Sequence, residues 1–528
     1  MKGINLMRVS LKCTITIILW VGLNLAQAAA TLPAVATANR CQDQAYVNKI
    51  HDLWNSRKPT YAAWIANSKD DSYNLYNVQI ETNNLLIYAG RCHDTVILGE
   101  LLSIYLPAID TLKSMDYYQF YYYPSSARQT KRKLPKLSKM WLTKDTSIGT
   151  ENILSSAQFL YLIADAINII SEIAPTERTP LMASLLTKYT PVLIDHYQRW
   201  IFDAVGPFQV RGWGCAVNGK YVETGMNHQK YLIKSLTKAL GAGSSVSYCN
   251  AVTDTDMWII AGVTKLIAAS KKTTLNLSIS AAAVTNYLNY IKLGVRLLET
   301  RTTLKDLNDF SGKIVQGANF DLGVWDDHED YKYTGYELAE YPRFNDKDLK
   351  KYSKKNASWD ISHARRFINV FQTLYENKTL LGLTFPSQAI MQGLANQFIY
   401  GTFNGDFDMP LFANFMDGSN GWFRVGYLGR VGFGYAPNDQ SIAALTGGYG
   451  FLSEYNVDIS KLFCKLEVMV NSKSANIRKH VIDHYESVYQ NNYVKVRSAD
   501  YTNLNNAETQ SNFLSFYPAL YNVSHSCP

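Results

Sequence analysis

Apolar residues recur at i, i+3, i+4 and i+7 in nine stretches of the chain, from VQIETNNLLIYAGRC at Val78 to PSQAIMQGLANQFIYGTF at Pro386. That period predicts nine amphipathic helices joined by loops, without the alternation of strand and helix that marks a parallel sheet. Several of the nine are apolar around much of their circumference, as an inner layer of helices covered by an outer layer requires. The expected fold is therefore all-α, a toroid of helical hairpins with decorated loops and little β structure. DAVGPFQVRGWGCAVNGKYVETG, from Asp203, is expected to form a small hairpin. The long insertion from Asp309 to Lys355 reads as a lid or binding wall, because structureless loops of that length are usually functional. No Pro- or Ser-rich linker divides the chain, so residues 29–528 are expected to form one domain.

The first 28 residues read differently. Lys2, Arg8 and Lys12 precede the apolar run CTITIILWVGLNL, and Ala26 and Ala28 stand in the A-x-A spacing of a signal-peptidase site. An uncleaved anchor would need roughly 20 apolar residues, more than this run supplies. A secreted or periplasmic protein cleaved near Ala28 is expected, and no later segment reads as a stable membrane span. Cleavage removes Cys13 and leaves Cys41, Cys92, Cys215, Cys249, Cys464 and Cys527. Such a set suits disulfides in an oxidising compartment, and it contains no CxxC of a zinc or redox motif. Asn276, Asn356, Asn377 and Asn522 stand in N-x-S/T sequons.

Formal charge is +8, and losing the three cations of the leader brings it to +5, which is mild for 528 residues. The one dense basic run holds Arg128, Lys131, Arg132, Lys133, Lys136 and Lys139 beside YYQFYYYP. It reads either as a solvated loop or as a contact for an acidic polymer or anionic lipid. Nucleic acid is not an expected partner, since no recognised module for it is present.

Candidate chemistry begins in NASWDISHARRFINVF. Asp360 reads as the N-cap of a helix whose buried stripe is Ala364, Phe367, Ile368, Phe371, Leu374 and Tyr375, with His363 at the margin. Arg366 lies one step further round, Arg365 nearer the opposite side, and Trp359 just before the cap. A histidine in a first turn, at the positive end of the helix dipole, tends to be neutral, as a base must be. A second helix opens in ETGMNHQKYLIKSLTKAL, with its cap near Thr224 or Gly225 and a stripe of Leu232, Ile233, Leu236, Ala239 and Leu240. His228, preceded by Asn227, again sits at the stripe's edge. If both helices belong to the inner ring, the two histidines face one cleft.

The Asn227-His228 pair is similar to the Asn-His element of α/α-toroid polysaccharide lyases, including alginate lyases. The resemblance implies that Asn227 neutralises a uronate carboxyl group, that His228 removes the acidified C5 proton, and that a Tyr protonates the leaving oxygen. Met226 stands where those enzymes often carry a second Asn, and no motif selects the Tyr; Tyr231, Tyr333 and Tyr336 are the candidates. The Asp360-x-Ser362-His363 segment also resembles an element of less characterised toroid proteins. Arg365 and Arg366 suit a carboxylate, which a guanidinium grips through two parallel hydrogen bonds.

Three further readings stand beside the lyase. Asp326, Asp327, Glu329 and Asp330 around His328, with Glu151 at the start of another helix, offer the acid and base of a glycoside hydrolase. The same acidic run lacks the position-by-position pattern of an EF-hand, so no metal or other cofactor is expected. A chain with 36 Tyr against 21 Phe, many in loops such as DYKYTGYELAEYP and NGWFRVGYLGRVGFGYAP, suits stacking on sugar rings. Non-catalytic glycan binding is therefore also open. The expected partner is a polysaccharide or oligosaccharide, and the expected state is a monomer.

Overall fold

In the computed structural model, contacts divide the chain into Met1–Thr37 and Ala38–Pro528. The structure describes residues 40–121, 130–142, 151–203, 208–209, 216–217, 220–221, 224–237, 247–272, 274–342, 352–427, 432–486 and 516–521. The leader and its cleavage site lie outside these residues, as do Cys215, Cys527 and Asn522.

The described residues are mostly helical. In chain order the helices are α1 (Gln44–Asn67), α2 (Tyr73–Cys92), α3 (Thr95–Tyr105), α4 (Ile153–Ile170), α5 (Pro180–Ile201), α6 (His228–Thr237), α7 (Asp254–Lys271), α8 (Ala281–Thr300), α9 (Ile361–Leu381), α10 (Gln388–Asn396), α11 (Ile442–Thr446), α12 (Val457–Val470) and α13 (Ala475–Val481). Among the described residues eight strands form four antiparallel pairs. They are β1 (Lys113–Tyr121) with β2 (Thr130–Met140), β3 (Phe208–Gln209) with β6 (Thr224–Met226), β4 (Ala216–Val217) with β5 (Lys220–Tyr221), and β7 (Thr302–Asn308) with β8 (Ile314–Phe320). The predicted small hairpin corresponds to the two short pairs between Phe208 and Met226. The long insertion is not wholly structureless, since its first residues supply β8.

Helices α2, α4, α7 and α9 pack side by side in that order, and two cavities fix their direction. Tyr73 and Tyr76 of α2, Leu154 of α4, Asp254 and Thr255 of α7, and His363 and Arg366 of α9 line one cavity. Gly90 and Arg91, Asp165 and Asn168, Lys265, and Glu376 and Asn377 of the same helices line the other. The four helices therefore run parallel, with their N-terminal ends around the first cavity and their C-terminal ends around the second. Gly262 brings α7 close to its neighbours: a Cβ there would lie 2.0 Å from the Tyr197 hydroxyl and 3.4 Å from the Tyr161 backbone.

Helix α4 is long and apolar enough to cross a membrane, but 83% of that span is buried among its neighbours. A helix apolar on all sides is expected at the centre of a large core. A disulfide joins Cys41, ahead of α1, to Cys92 at the end of α2, and Cys464 on α12 is also disulfide-bonded.

Candidate functional site

The start of α9 is built as its sequence suggests. Asp360 has extended backbone and its side chain accepts the His363 N–H as the N-cap. Neighbouring loops hold this cap in place. The Ile361 N–H donates to the Asn414 carbonyl at 2.8 Å, and the Met416 N–H to the Trp359 carbonyl at 2.9 Å. The Tyr331 hydroxyl accepts the Asp360 N–H at 3.1 Å and donates to Asp360 Oδ2 at 3.2 Å.

Within this frame the Asp360 carboxylate also receives His363 Nδ1 at 2.7 Å and the Ser362 hydroxyl at 2.5 Å. Burial works to raise the Asp360 carboxyl, but the charge and hydrogen bond of His363, with Ser362 and Arg424, outweigh it and hold it at about 2. An ionised carboxylate on Nδ1 fixes the hydrogen of the neutral ring there, and Nε2 is left with its lone pair. Trp359 and Phe423 flank the His363 ring at centroid distances of 6.3 Å each.

His363 lines a cavity near 440 Å³ that also takes in Arg366, Arg424, His328, Asp254, Asp330 and a wall of aromatic rings, among them Trp325 and Trp359. Arg366 is buried, donates from Nη1 to Asp254 Oδ2 and lies 4.9 Å from the Tyr76 ring centroid. Burial and the nearby Arg424 push its pKa down to about 9; pairing with Asp254 works the other way, and it remains a cation at neutral pH. Arg424 donates to Asp330 Oδ2 at 3.0 Å. Burial pulls its pKa down, but Asp330 and Asp360 more than restore it. Arg366 Nε, Trp325 Nε1 and Trp359 Nε1 are buried without a hydrogen-bond partner, so three donors of residues that line the cavity are unused by the protein.

The structure brings His363, Arg366 and Trp359 together with His328 and Asp330 of the acidic run and places the remaining candidates elsewhere. His228 does not share the cavity: it is fully buried, with Nδ1 2.6 Å from the Tyr290 hydroxyl and Nε2 2.9 Å from Asp256 Oδ1. Asp256 in turn closes the capping box at the start of α7, so His228 braces that helix end from behind the cavity wall. Asn227, rather than Thr224 or Gly225, caps α6, accepting the Lys230 N–H at 2.9 Å. The earlier residues are taken up in the β3–β6 pair, which delays the helix. Tyr231 is buried with its hydroxyl on the Ala251 carbonyl at 2.8 Å, and Ile233, expected in the α6 stripe, is 47% exposed.

Arg365 turns away toward Thr446 and Gly447. Tyr333 and Tyr336 pack on Tyr352 beside Trp422, outside the cavity. Glu151 is buried among Arg199, Trp200 and His196. Asp326 is tied to the backbone N–H groups of Asn356 and Ala357. Arg424, Tyr331, Phe423, Tyr76 and Asp254 escape sequence reasoning as site residues because loops and helix starts far apart in the chain deliver them. The signals were His328 within the acidic run, and Tyr331, Phe423 and Arg424 within the two aromatic loop runs.

The second cavity, near 350 Å³, differs in character. Lys265 lies between Asp165 at 2.8 Å and Glu376 at 3.3 Å, and Arg91 reaches Glu454 at 2.6 Å. These charges satisfy one another and present no histidine. Among the described residues no group of three His, Cys, Asp or Glu side chains is placed to hold a metal ion. Comparison with protein families, characterised proteins and solved structures finds no match to this chain.

Proposed function

We propose that the cavity at the N-terminal ends of α2, α4, α7 and α9 is the active site of an exported α/α-toroid enzyme that cleaves a uronate-containing glycan by β-elimination. The observation that carries this reading is the Asp360–His363 pair, which holds Nδ1 of a cavity-lining histidine on a carboxylate beside two guanidinium groups. Four parallel helix N-termini add positive potential at the same end. A carboxylate-bearing sugar fits this charge, and the aromatic wall suits its ring faces.

In this reading Arg366 and Arg424 hold the substrate carboxylate. His363 Nε2 takes the C5 hydrogen, and the electron pair moves through the carboxylate and returns as the C4–O bond breaks, leaving a C4=C5 double bond. The imidazolium formed at His363 returns the proton to the leaving oxygen on the same face. Hydrolysis fits less well. The carboxylates at the cavity are each engaged, Asp254 by Arg366, Asp330 by Arg424, and Asp360 by His363 and Ser362, and a glycosidase acid needs a protonated carboxyl. Incubation with alginate, pectate, hyaluronan and heparin tests the reading through the ultraviolet absorbance of an unsaturated product. Reducing ends without that absorbance would support hydrolysis instead.

A further inference from the structure

Two histidines line the cavity, and their partners set them in opposite tautomers. In His363 the carboxylate on Nδ1 leaves Nε2 bare. In His328 the Asp330 backbone N–H donates to Nδ1 at 3.2 Å, so the lone pair is on Nδ1 and the hydrogen on Nε2. The Asp330 carboxylate does not reverse this, since its Oδ2 stands 3.9 Å from Nδ1 and is taken by Arg424.

The His328 ring is held by its neighbours. Tyr248 meets it edge-on at 4.9 Å and Trp325 at 5.4 Å, centroid to centroid. Burial lowers its pKa; Asp330 and Glu329 oppose the shift, and Arg424 and His363 reinforce it. His328 is thus an oriented hydrogen-bond donor, held toward its neutral form by burial, beside His363, whose Nδ1 is oriented by Asp360.

We propose that His328 is a catalytic residue of this site, whose Nε2–H hydrogen-bonds the substrate carboxylate oxygen on which charge accumulates as His363 removes the C5 hydrogen. This rests on the elimination reading above. The division of labour follows from charge. A guanidinium grips the carboxylate in the ground state as well as the transition state, which lowers KM more than it raises kcat. A neutral imidazole N–H bonds weakly to the resting carboxylate and more strongly as the oxygen becomes basic, which raises kcat. His328 keeps its own proton throughout, so the proton balance of the reaction remains with His363.

The experiment uses the full chain and the uronide that the wild-type protein cleaves fastest. His328→Ala is expected to lower kcat by about 100- to 1,000-fold, as loss of one oxyanion donor does elsewhere, with KM within about threefold. His328→Gln, which restores an N–H donor, is expected to recover at least about tenfold of that loss. Loss of the substrate C5 hydrogen, followed by proton NMR, should fall in step with kcat. Nitrogen-15 spectra of the labelled wild-type protein should show Nε2–H on His328 and Nδ1–H on His363. Wild-type turnover with an equally active His328→Ala, a loss confined to KM, or Nδ1–H on His328 would overturn the proposal alone. If the wild-type protein releases no unsaturated product from any uronide, the elimination reading fails and this proposal falls with it.

Discussion

Asp360→Asn separates the two tasks that one carboxylate performs. Asn is as good an N-cap as Asp, so α9 should still begin at Ile361. The amide keeps one oxygen for the His363 N–H, but its NH₂ donates where Oδ2 accepted from Nδ1. The imidazole hydrogen then moves to Nε2, and the lone pair needed for proton abstraction turns away from the cavity. An equivalent change in a Ser-His-Asp triad costs about 10⁴ in kcat, and about 10³ to 10⁴ is expected here.

The stability effect follows from the carboxyl, held from an ordinary 3.8 down to about 2. A depression of nearly two units corresponds to roughly 2.5 kcal/mol. Because the folded-state pKa is the lower one, this stabilisation is present above the unfolded pKa and is lost as pH falls through about 2. Denaturant unfolding should therefore show the variant less stable by up to about 2.5 kcal/mol at neutral pH, with the gap closing toward pH 2. Turnover is read by absorbance of the unsaturated product. A variant that folds and retains activity within about threefold would refute the role given to the Asp360–His363 pair.

Other perturbations have distinct signatures. Arg366→Ala should raise KM at least about tenfold, and Arg366→Lys should recover little of it because an ammonium lacks the guanidinium fork; an unchanged KM would remove Arg366 from substrate binding. His228→Ala leaves the buried Asp256 carboxylate without its imidazole and should cost about 2–3 kcal/mol in unfolding experiments. Activity per folded molecule should stay within about threefold, and a loss as deep as that of His363→Ala would show that the base had been misassigned. Replacing Cys41 and Cys92 by Ser opens a bond that spans 51 residues. It should lower stability by about 4 kcal/mol without changing kcat, as measured by chemical denaturation and steady-state kinetics.

The local parts of this site were legible because local rules build them. The D-x-S-H segment is an N-cap, and the apolar stripe of α9 placed His363 at its margin and Arg366 one step round. The start of α6 was misread by two or three residues, since pairing of Thr224–Met226 with β3 is a long-range choice that overrides the capping signal. Helix α1 was missed although Tyr46, Ile50, Trp54, Tyr61 and Ile65 make a helical stripe; it is diluted by polar residues and interrupted by Pro59. The β7–β8 hairpin was absorbed into a loop because alternation in TTLKDLN is incomplete. What no local pattern contains is convergence. Tyr331 and Arg424 reach Asp360 and Asp330 from segments 29 and 94 residues away, so the oriented base and the paired cations become visible only in the folded chain. A neighbouring Asn and His looked equally catalytic in sequence, and burial against Tyr290 and Asp256 is what distinguishes them.

The central claim is that His363 removes a proton adjacent to a uronate carboxylate. The most direct measurement is the fate of that C5 hydrogen, followed by proton NMR on a uronide incubated with the wild-type protein and with His363→Ala. The account predicts loss of the C5 hydrogen together with unsaturated product for the wild type and neither for the variant. Loss that persists in His363→Ala, or reducing ends formed by the wild type with the C5 hydrogen retained, would contradict it.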